Sequence, residues 1–409
     1  MKLVVVGAQW GDEGKGKIVD YLAENADLVV RFSGGANAGH TIVSGDTTYK
    51  LHLVPSGILY PNCTVILGIG MVIDPEALFQ ELETIEKQGI RWEGRVLVAD
   101  RAHLVLPRYR EIDRAQEKER RIPIGTTGRG IGVAYTLKAS RDGVRVADLF
   151  DESTFSTLTE EDQQFLKPYR EKLEPMVTDM VQFMDTHKES RILFEGAQGI
   201  LLDLDLGTYP FVSSGVSAAA GATLGSGIGP RAIQRVLGVF KAYSTRVGNG
   251  PFPTEFHSDV DGDLGDRIRE IGREYGVTTG RPRRCGYLDM VALRYACQVN
   301  TLDGLALTHL DVYDGMDEIK VCTAYEIEGN PVEHFPARID LLNKAKPITR
   351  SFKGWKQSIA HISRYEDLPP EAKTYIRFIE EQTRTPVDIV SVGYQRTQTI
   401  IRKNPWTQF

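Results

Sequence analysis

Cysteine is scarce in this chain: Cys63, Cys285, Cys297 and Cys322 are the only four in 409 residues, and none stands in C-x-x-C spacing. That excludes a disulfide scaffold and a zinc ribbon and predicts reduced, cytosolic thiols. No apolar run reaches the ~18 residues of a membrane span, and no charged and apolar leader precedes the first strand pattern, so a cytoplasmic location is expected. Excess charge of one sign is missing too. The 49 Lys and Arg against 55 Asp and Glu leave a net charge of −6. A mildly acidic chain has no global attraction for nucleic acid or membrane, and any anion must be caught by local basic clusters. There is no repeat period, no low-complexity segment and no Pro/Ser linker. Length alone allows two or three domains. The unbroken texture favours one continuous unit over 1–409, with the charged, helical stretch 101–190 as a candidate helical subdomain.

What the chain does have is a series of short apolar runs without polar alternation: Leu3–Val6, Leu28–Arg31, Val65–Leu67, Val96–Val98, Ile192–Phe194, Leu237–Phe240, Leu305–Leu310 and Val387–Val392. Strands covered on both faces read this way. Helical patterns fall between them at Pro75–Gln88, Glu160–His187, Ala218–Val236, Asp263–Tyr275, Leu288–Gln298 and Pro370–Thr383. The expected fold is α/β, a large, mostly parallel central sheet flanked by helices.

Glycine loops follow several of these strands. The first, Gly11-Asp12-Glu13-Gly14-Lys15-Gly16-Lys17, has the spacing of a phosphate cradle, where backbone N–H groups and a helix N-terminus face the anion. Ile18 stands where a magnesium-binding hydroxyl is usual. Asp12 is unfavourable beside a polyphosphate unless it binds a metal or takes a proton, which points to chemistry rather than storage. Its bland reading is a helix N-cap. The second loop, Gly34-Gly35-Ala36-Asn37-Ala38-Gly39-His40-Thr41, lets a ligand approach the backbone closely, and His40 could act as an acid near neutral pH. A third, Gly125-Thr126-Thr127-Gly128-Arg129-Gly130, suits a phosphate ester. A fourth, Glu195-Gly196-Ala197-Gln198-Gly199, offers Gln198 to a base edge, and Asp203 and Asp205 nearby are read as structural. Three arginines in Thr278-Thr279-Gly280-Arg281-Pro282-Arg283-Arg284 repel one another unless anions sit among them, so an anion-capturing loop is expected there. Asp311, after Thr308-His309-Leu310, could accept from N1–H and N–H₂ of guanine and would repel N1 of adenine. Here the bland reading is again an N-cap.

In order, these motifs resemble the adenylosuccinate synthetase family. The matching segments are GAQWGDEGKGKIVD (7–20), GGANAGHT (34–41), GTTGRGIG (125–132), FEGAQGILLDLDLGTYPFVSS (194–214), KAYSTRVGNGPFPTE (241–255), TTGRPRRCGYLD (278–289) and LTHLDVYDG (307–315). The resemblance implies a GTP-dependent ligation of IMP and L-aspartate through 6-phosphoryl-IMP, with Mg²⁺, in a homodimer. It implies catalysis by Asp12, as base, and His40, as acid, and a metal held by Asp12 and the carbonyl of Gly39. GTP would meet Gly11 to Lys17, Gly39, His40, Thr41, Arg283, His309, Leu310, Asp311 and the Ser391-Val392-Gly393 turn. IMP would meet Asp12, Glu13, Gly14, Lys15, Asn37, Ala38, Gly39, His40, Thr127, Gln198, Ser213 and Arg281, and also Arg141 reaching over from the partner subunit. L-Aspartate would meet Val277, Thr278, Thr279, Gly280, Arg281, Pro282 and Arg283.

The chain departs from the family pattern in places. His309 stands where Lys is usual, Ser213 where Thr is frequent, and Tyr394 where Pro is common, and the stretch between Asp148 and Phe194 is short. A regulatory GTPase and a nucleotide-binding module without catalysis are the competing classes. The arginine loop weighs against the first, and the intact Asp12 and His40 weigh against the second.

Overall fold

Residues 1–276 and 280–407 are described by the computed structural model. The central sheet contains β1 (Lys2–Gly7), β2 (Leu28–Arg31), β3 (Thr64–Leu67), β4 (Val96–Ala99), β5 (Val177–Thr178), β6 (Ile192–Glu195), β7 (Arg235–Lys241), β8 (Gly304–Thr308), β9 (Val387–Ser391) and β10 (Thr399–Ile401). Its ten strands run in the order β10-β9-β8-β7-β1-β6-β2-β3-β4-β5. Every neighbouring pair is parallel except β9 with β10. The unalternated runs have the cause expected of them: Leu3, Val4, Val5 and Val6 of β1 are each 0% exposed, as a strand covered on both faces requires.

Helices cover the sheet where capping and spacing allow. Pro75–Lys87 starts with Pro at its first position and with the Asp74 side chain accepting from the Ala77 N–H, and it buries Leu78, Leu82 and Ile85 on one face. β1 lies mid-sheet. The chain leaves it for β2 on one side and later returns to β7 on the other, so winding reverses at the C-terminal edge of β1. Crevices at such reversals are where open α/β sheets bind ligands. Because the strands are parallel, the loops after β1, β2, β6, β7, β8 and β9 all leave at this edge.

Two expected helices are corrected. Glu160–His187 is not one helix: Glu160–Leu173 gives way to a 3₁₀ turn at Glu174–Met176, then β5, then the helix Met180–Thr186. Pro175 cannot donate a backbone hydrogen bond, and the Asp179 carboxylate starts the next helix by accepting from Val181 and Gln182. Ala218–Val236 shrinks to Gly221–Ser226, ended by the left-handed Gly227, and its last residues belong to β7. β5 pairs with β4, so the stretch 101–190 contributes a strand to the central sheet. A second sheet, Leu288–Asp289, Glu318–Ile327, Asn330–Val332 and Lys346–Lys353, was not anticipated. Its long strand alternates exposed and buried residues over Glu318–Val321, the pattern of a one-sided sheet.

Candidate active site at the C-terminal edge of β1

The first glycine loop is braced from inside. Helix Lys15–Ala23 begins at Gly14, whose left-handed φ of 85° suits glycine, and no side chain caps its N–H groups. Asp12 is therefore not the N-cap. It is an exposed residue with φ 57°, displayed from the loop. Glu13 turns the other way. Fully buried, it accepts from the N–H groups of Gln9 (3.1 Å) and Gly11 (2.9 Å) and from Lys15 Nζ (2.6 Å). A side chain at Gly7 would lie 2.5 Å from that carboxylate, so the glycine ending β1 makes room for the brace. Lys15 is thus positioned by Glu13. Lys17 points away, donating to Ser391 Oγ (2.7 Å) and to the carbonyls of Gly393 (2.7 Å) and Gln398 (2.9 Å). Burial pushes its ammonium down to about 7 against the pull of Asp311. It ties the loop, expected to hold phosphates, to the Ser391-Val392-Gly393 turn, expected to hold guanine. Asp311 lies within the 3₁₀ turn Leu310–Tyr313, whose N-cap is His309, so the N-cap reading fails here too. Burial raises the Asp311 carboxyl.

The second loop packs against the first: a Cβ on Gly16 would sit 2.9 Å from His40 Cβ. His40 opens the hairpin His40–Ser44 with Thr47–Leu51. Its Nδ1 lies 2.6 Å from Glu195 Oε1, and Glu195 is fully buried at the end of β6. The Ser56 N–H also donates to Glu195, at 2.9 Å. Burial would raise this carboxyl, but His40, the Ser56 N–H and Arg31 together hold it below the usual range. Sequence alone gives Glu195 no role, although a Glu closing a buried strand is a signal. Asn37 accepts from the Gly35 N–H at 3.3 Å. Ala38 and Gly39 lie between Asn37 and His40, and Thr41 is exposed on the hairpin. The left-handed Gln198, φ 56°, brings its Oε1 to 3.4 Å from where a Gly34 Cβ would be.

Thr127 lies exposed on the loop before helix Ile131–Ser140, and Arg129 anchors that loop by donating to the Ala36 carbonyl at 2.6 Å. Ser213 is half-buried, bonded through its N–H to the Leu202 carbonyl at 2.8 Å. Arg141 stands at the far end of helix Ile131–Ser140, about 15 Å of helix from the loop, and is exposed. Asp203 accepts from the N–H groups of Asp205, Leu206, Ser217 and Ala218, so its role is structural.

Two arginines of the cluster, Arg283 and Arg284, pair with carboxylates of the protein itself. Arg284 forms a two-pronged bridge to Glu255 at 2.8 and 2.5 Å. Arg283 Nη1 donates to Glu274 at 2.7 Å, and its Nε lies 2.9 Å from Asp12. Glu274 is fully buried and also takes Lys241 Nζ at 2.5 Å and the Tyr243 hydroxyl. Burial opposes its charge, yet Lys241, His309 and Arg283 hold it down at about 2. The Tyr243 hydroxyl is 3.5 Å from His309 Nδ1, and the rings meet edge to face. Burial pushes His309 down to about 4, with Lys241 adding to the effect. Nothing local marks Glu274, whose partners come from two other segments, one with Lys241 and Tyr243 and one with Arg283. Gly280, Arg281 and Pro282 are exposed, while Val277, Thr278 and Thr279 lie outside the described residues.

Comparison with known proteins decides the family. The adenylosuccinate synthetase family model matches residues 4–167 and 158–400. The chain belongs to the adenylosuccinate synthetase family. The adenylosuccinate synthetase of Desulforamulus reducens is 49% identical over 98% of both chains. That of Clostridium novyi is 48% identical over 97% of this chain and 98% of its own. Among solved structures, fully ligated adenylosuccinate synthetase from Plasmodium falciparum superposes with a TM-score of 0.91 at 38% identity, covering 98% of this chain and 99% of that one. GTP-dependent ligation of IMP and L-aspartate, with release of GDP and phosphate, is the reaction of this family. Among the described residues no helix is long and apolar enough to cross a membrane.

Proposed function

We propose that the loops at the C-terminal edge of β1 divide the adenylosuccinate synthetase reaction as follows. Asp12 takes the N1 proton of IMP, which makes O6 nucleophilic. O6 bonds to the γ-phosphorus as the bridging bond to GDP breaks. His40 donates a hydrogen bond to the phosphoryl oxygens in flight, its ring fixed through Nδ1 by Glu195. The amine of L-aspartate then attacks C6, and the C6–O bond breaks with phosphate leaving. Positioning and charge neutralisation account for most of the acceleration in such transfers. Asn37, Gln198 and Thr127 hold IMP, with Arg141 of the partner subunit in a homodimer. Arg281 and Arg283 hold the carboxylates of L-aspartate. Asp311 and the Ser391-Val392-Gly393 turn hold guanine.

Among the described residues no group of three or more His, Cys, Asp or Glu could hold a metal. Mg²⁺ commonly takes only one or two carboxylates and completes its shell with water and phosphate oxygens, so the exposed Asp12 with the Gly39 carbonyl fits. When bound, it would neutralise charge on the phosphates.

The observation that supports this division is the contact between loops: the buried Glu195–His40 pair lies at 2.6 Å and packs on Gly16 of the loop that displays Asp12. Its test is phosphate release from GTP. Release should require both IMP and L-aspartate and should accompany the absorbance change of adenylosuccinate. Steady GTP turnover without IMP would point to a GTPase and refute the assignment.

A further inference from the structure

Arg273 and Tyr394 meet across two segments that the reaction so far leaves unused. The Arg273 guanidinium lies 4.5 Å from the centre of the Tyr394 ring. Arg273 belongs to the segment that follows helix Leu264–Ile271, and Tyr394 directly follows the Ser391-Val392-Gly393 turn. Both are exposed, Tyr394 at 50%.

The contact is anchored from below on each side. Arg273 has a left-handed φ of 53°, costly for a side chain with a Cβ. Its neighbour Glu274 is locked inward by Lys241, Tyr243 and Arg283, so the backbone twists and Arg273 is turned outward. Tyr394 is held by the turn that Lys17 secures through Ser391 Oγ and the Gly393 carbonyl, both at 2.7 Å. Arg273 also acts on the Asp311 carboxylate, lowering its proton affinity as Lys17 does. Lys17 thus holds the turn that leads into Tyr394, and Arg273 lies over the Tyr394 ring.

We propose that Arg273 and Tyr394 form a clasp over the guanine pocket, packing against the face of the purine while Asp311 reads its edge. The inference rests on the assignment of Asp311 and the 391–393 turn to guanine. A tyrosine ring and a guanidinium plane both stack on a base, and neither discriminates between purines. The clasp thus contributes affinity and leaves selectivity to Asp311.

The test is direct binding of a fluorescent N-methylanthraniloyl-GDP to the intact protein. Tyr394→Ala should raise the Kd about tenfold, which is ~1.4 kcal/mol. Tyr394→Phe, which keeps the ring face, should stay near wild type. Arg273→Met should weaken binding severalfold, and Arg273→Met with Tyr394→Ala should be little worse than Tyr394→Ala alone, because the two act as one unit. Asp311→Asn separates the two layers of inference. If Asp311→Asn abolishes the preference for GDP over ADP while Tyr394→Ala leaves the Kd within twofold, the clasp is refuted and the pocket stands. If Asp311→Asn itself changes neither affinity nor preference, the pocket assignment fails and the clasp fails with it.

Discussion

Replacing Glu195 by Gln removes one charge from behind His40 and changes little else in shape. Glu195 is 0% exposed, with Oε1 2.6 Å from His40 Nδ1 and Oε2 2.9 Å from the Ser56 nitrogen. The amide oxygen of Gln can keep the Ser56 bond, so the turn Ser56–Leu59 should hold. What goes is the anion facing the imidazole. A hydrogen bond to a charged partner is worth ~1.5–3 kcal/mol, about twice a neutral one. If that interaction tightens as His40 meets the phosphoryl group, its loss lowers kcat by about 10- to 150-fold. Arg31, also buried, loses a nearby counter-charge, so some loss of thermal stability accompanies the change. The assay is steady-state adenylosuccinate formation at saturating IMP, GTP and L-aspartate, run well below the variant's Tm, with the KM for L-aspartate measured alongside. The kcat should fall and that KM should stay within a fewfold. A folded Glu195→Gln enzyme with kcat within threefold of wild type would refute the role of Glu195 as the support of the acid.

Asp12→Asn should preserve the fold and reduce kcat by several orders of magnitude, because the group that takes the N1 proton is gone; near-normal turnover would remove Asp12 from the mechanism. Arg141→Leu should raise the KM for IMP, and mixing it with Asp12→Asn should restore one working site per heterodimer, read as activity regained after subunit exchange. Lys17→Met should remove the three hydrogen bonds that tie the loop to the turn, while the Gly393 carbonyl keeps the Ser391 hydroxyl and the Gln398 carbonyl keeps the Val392 N–H; it should cost about 1–3 kcal/mol of stability in urea melts, with weaker binding of guanine nucleotides. Acid should destabilise the fold in two windows. His309, held near 4, stays neutral while the unfolded chain gains a proton at ~6.5, so stability falls as pH drops from there towards 4. Glu274, held near 2, contributes stability that is complete above ~4.3 and is lost as pH falls towards 2. Urea melts across this range should show the decline, and Glu274→Gln should flatten its lower part.

The α/β architecture was legible because a strand buried on both faces must be apolar at every position, and such runs marked nearly all of the central sheet. β5, two residues long, carried no such signal. The loops that bear Asp12 and His40 were legible for a related reason: tight turns and close backbone approach need glycine, and their spacing is local. The failures were also local. Glu160–His187 looked helical throughout because charged residues hid the break at Pro175. Long-range partnerships left no trace in the order of residues. Glu195 beside His40, Glu274 with Lys241 and Tyr243, and Lys17 under the 391–393 turn are separated by 155, 33, 31 and 374 positions or more. By itself the sequence determined which residues could do chemistry and which backbone could turn tightly, since both depend on the residue and its neighbours. Tertiary structure alone decided which buried carboxylate stands behind which cation, because an unpaired charge inside the fold is costly and its partner is set by how the strands are ordered in space.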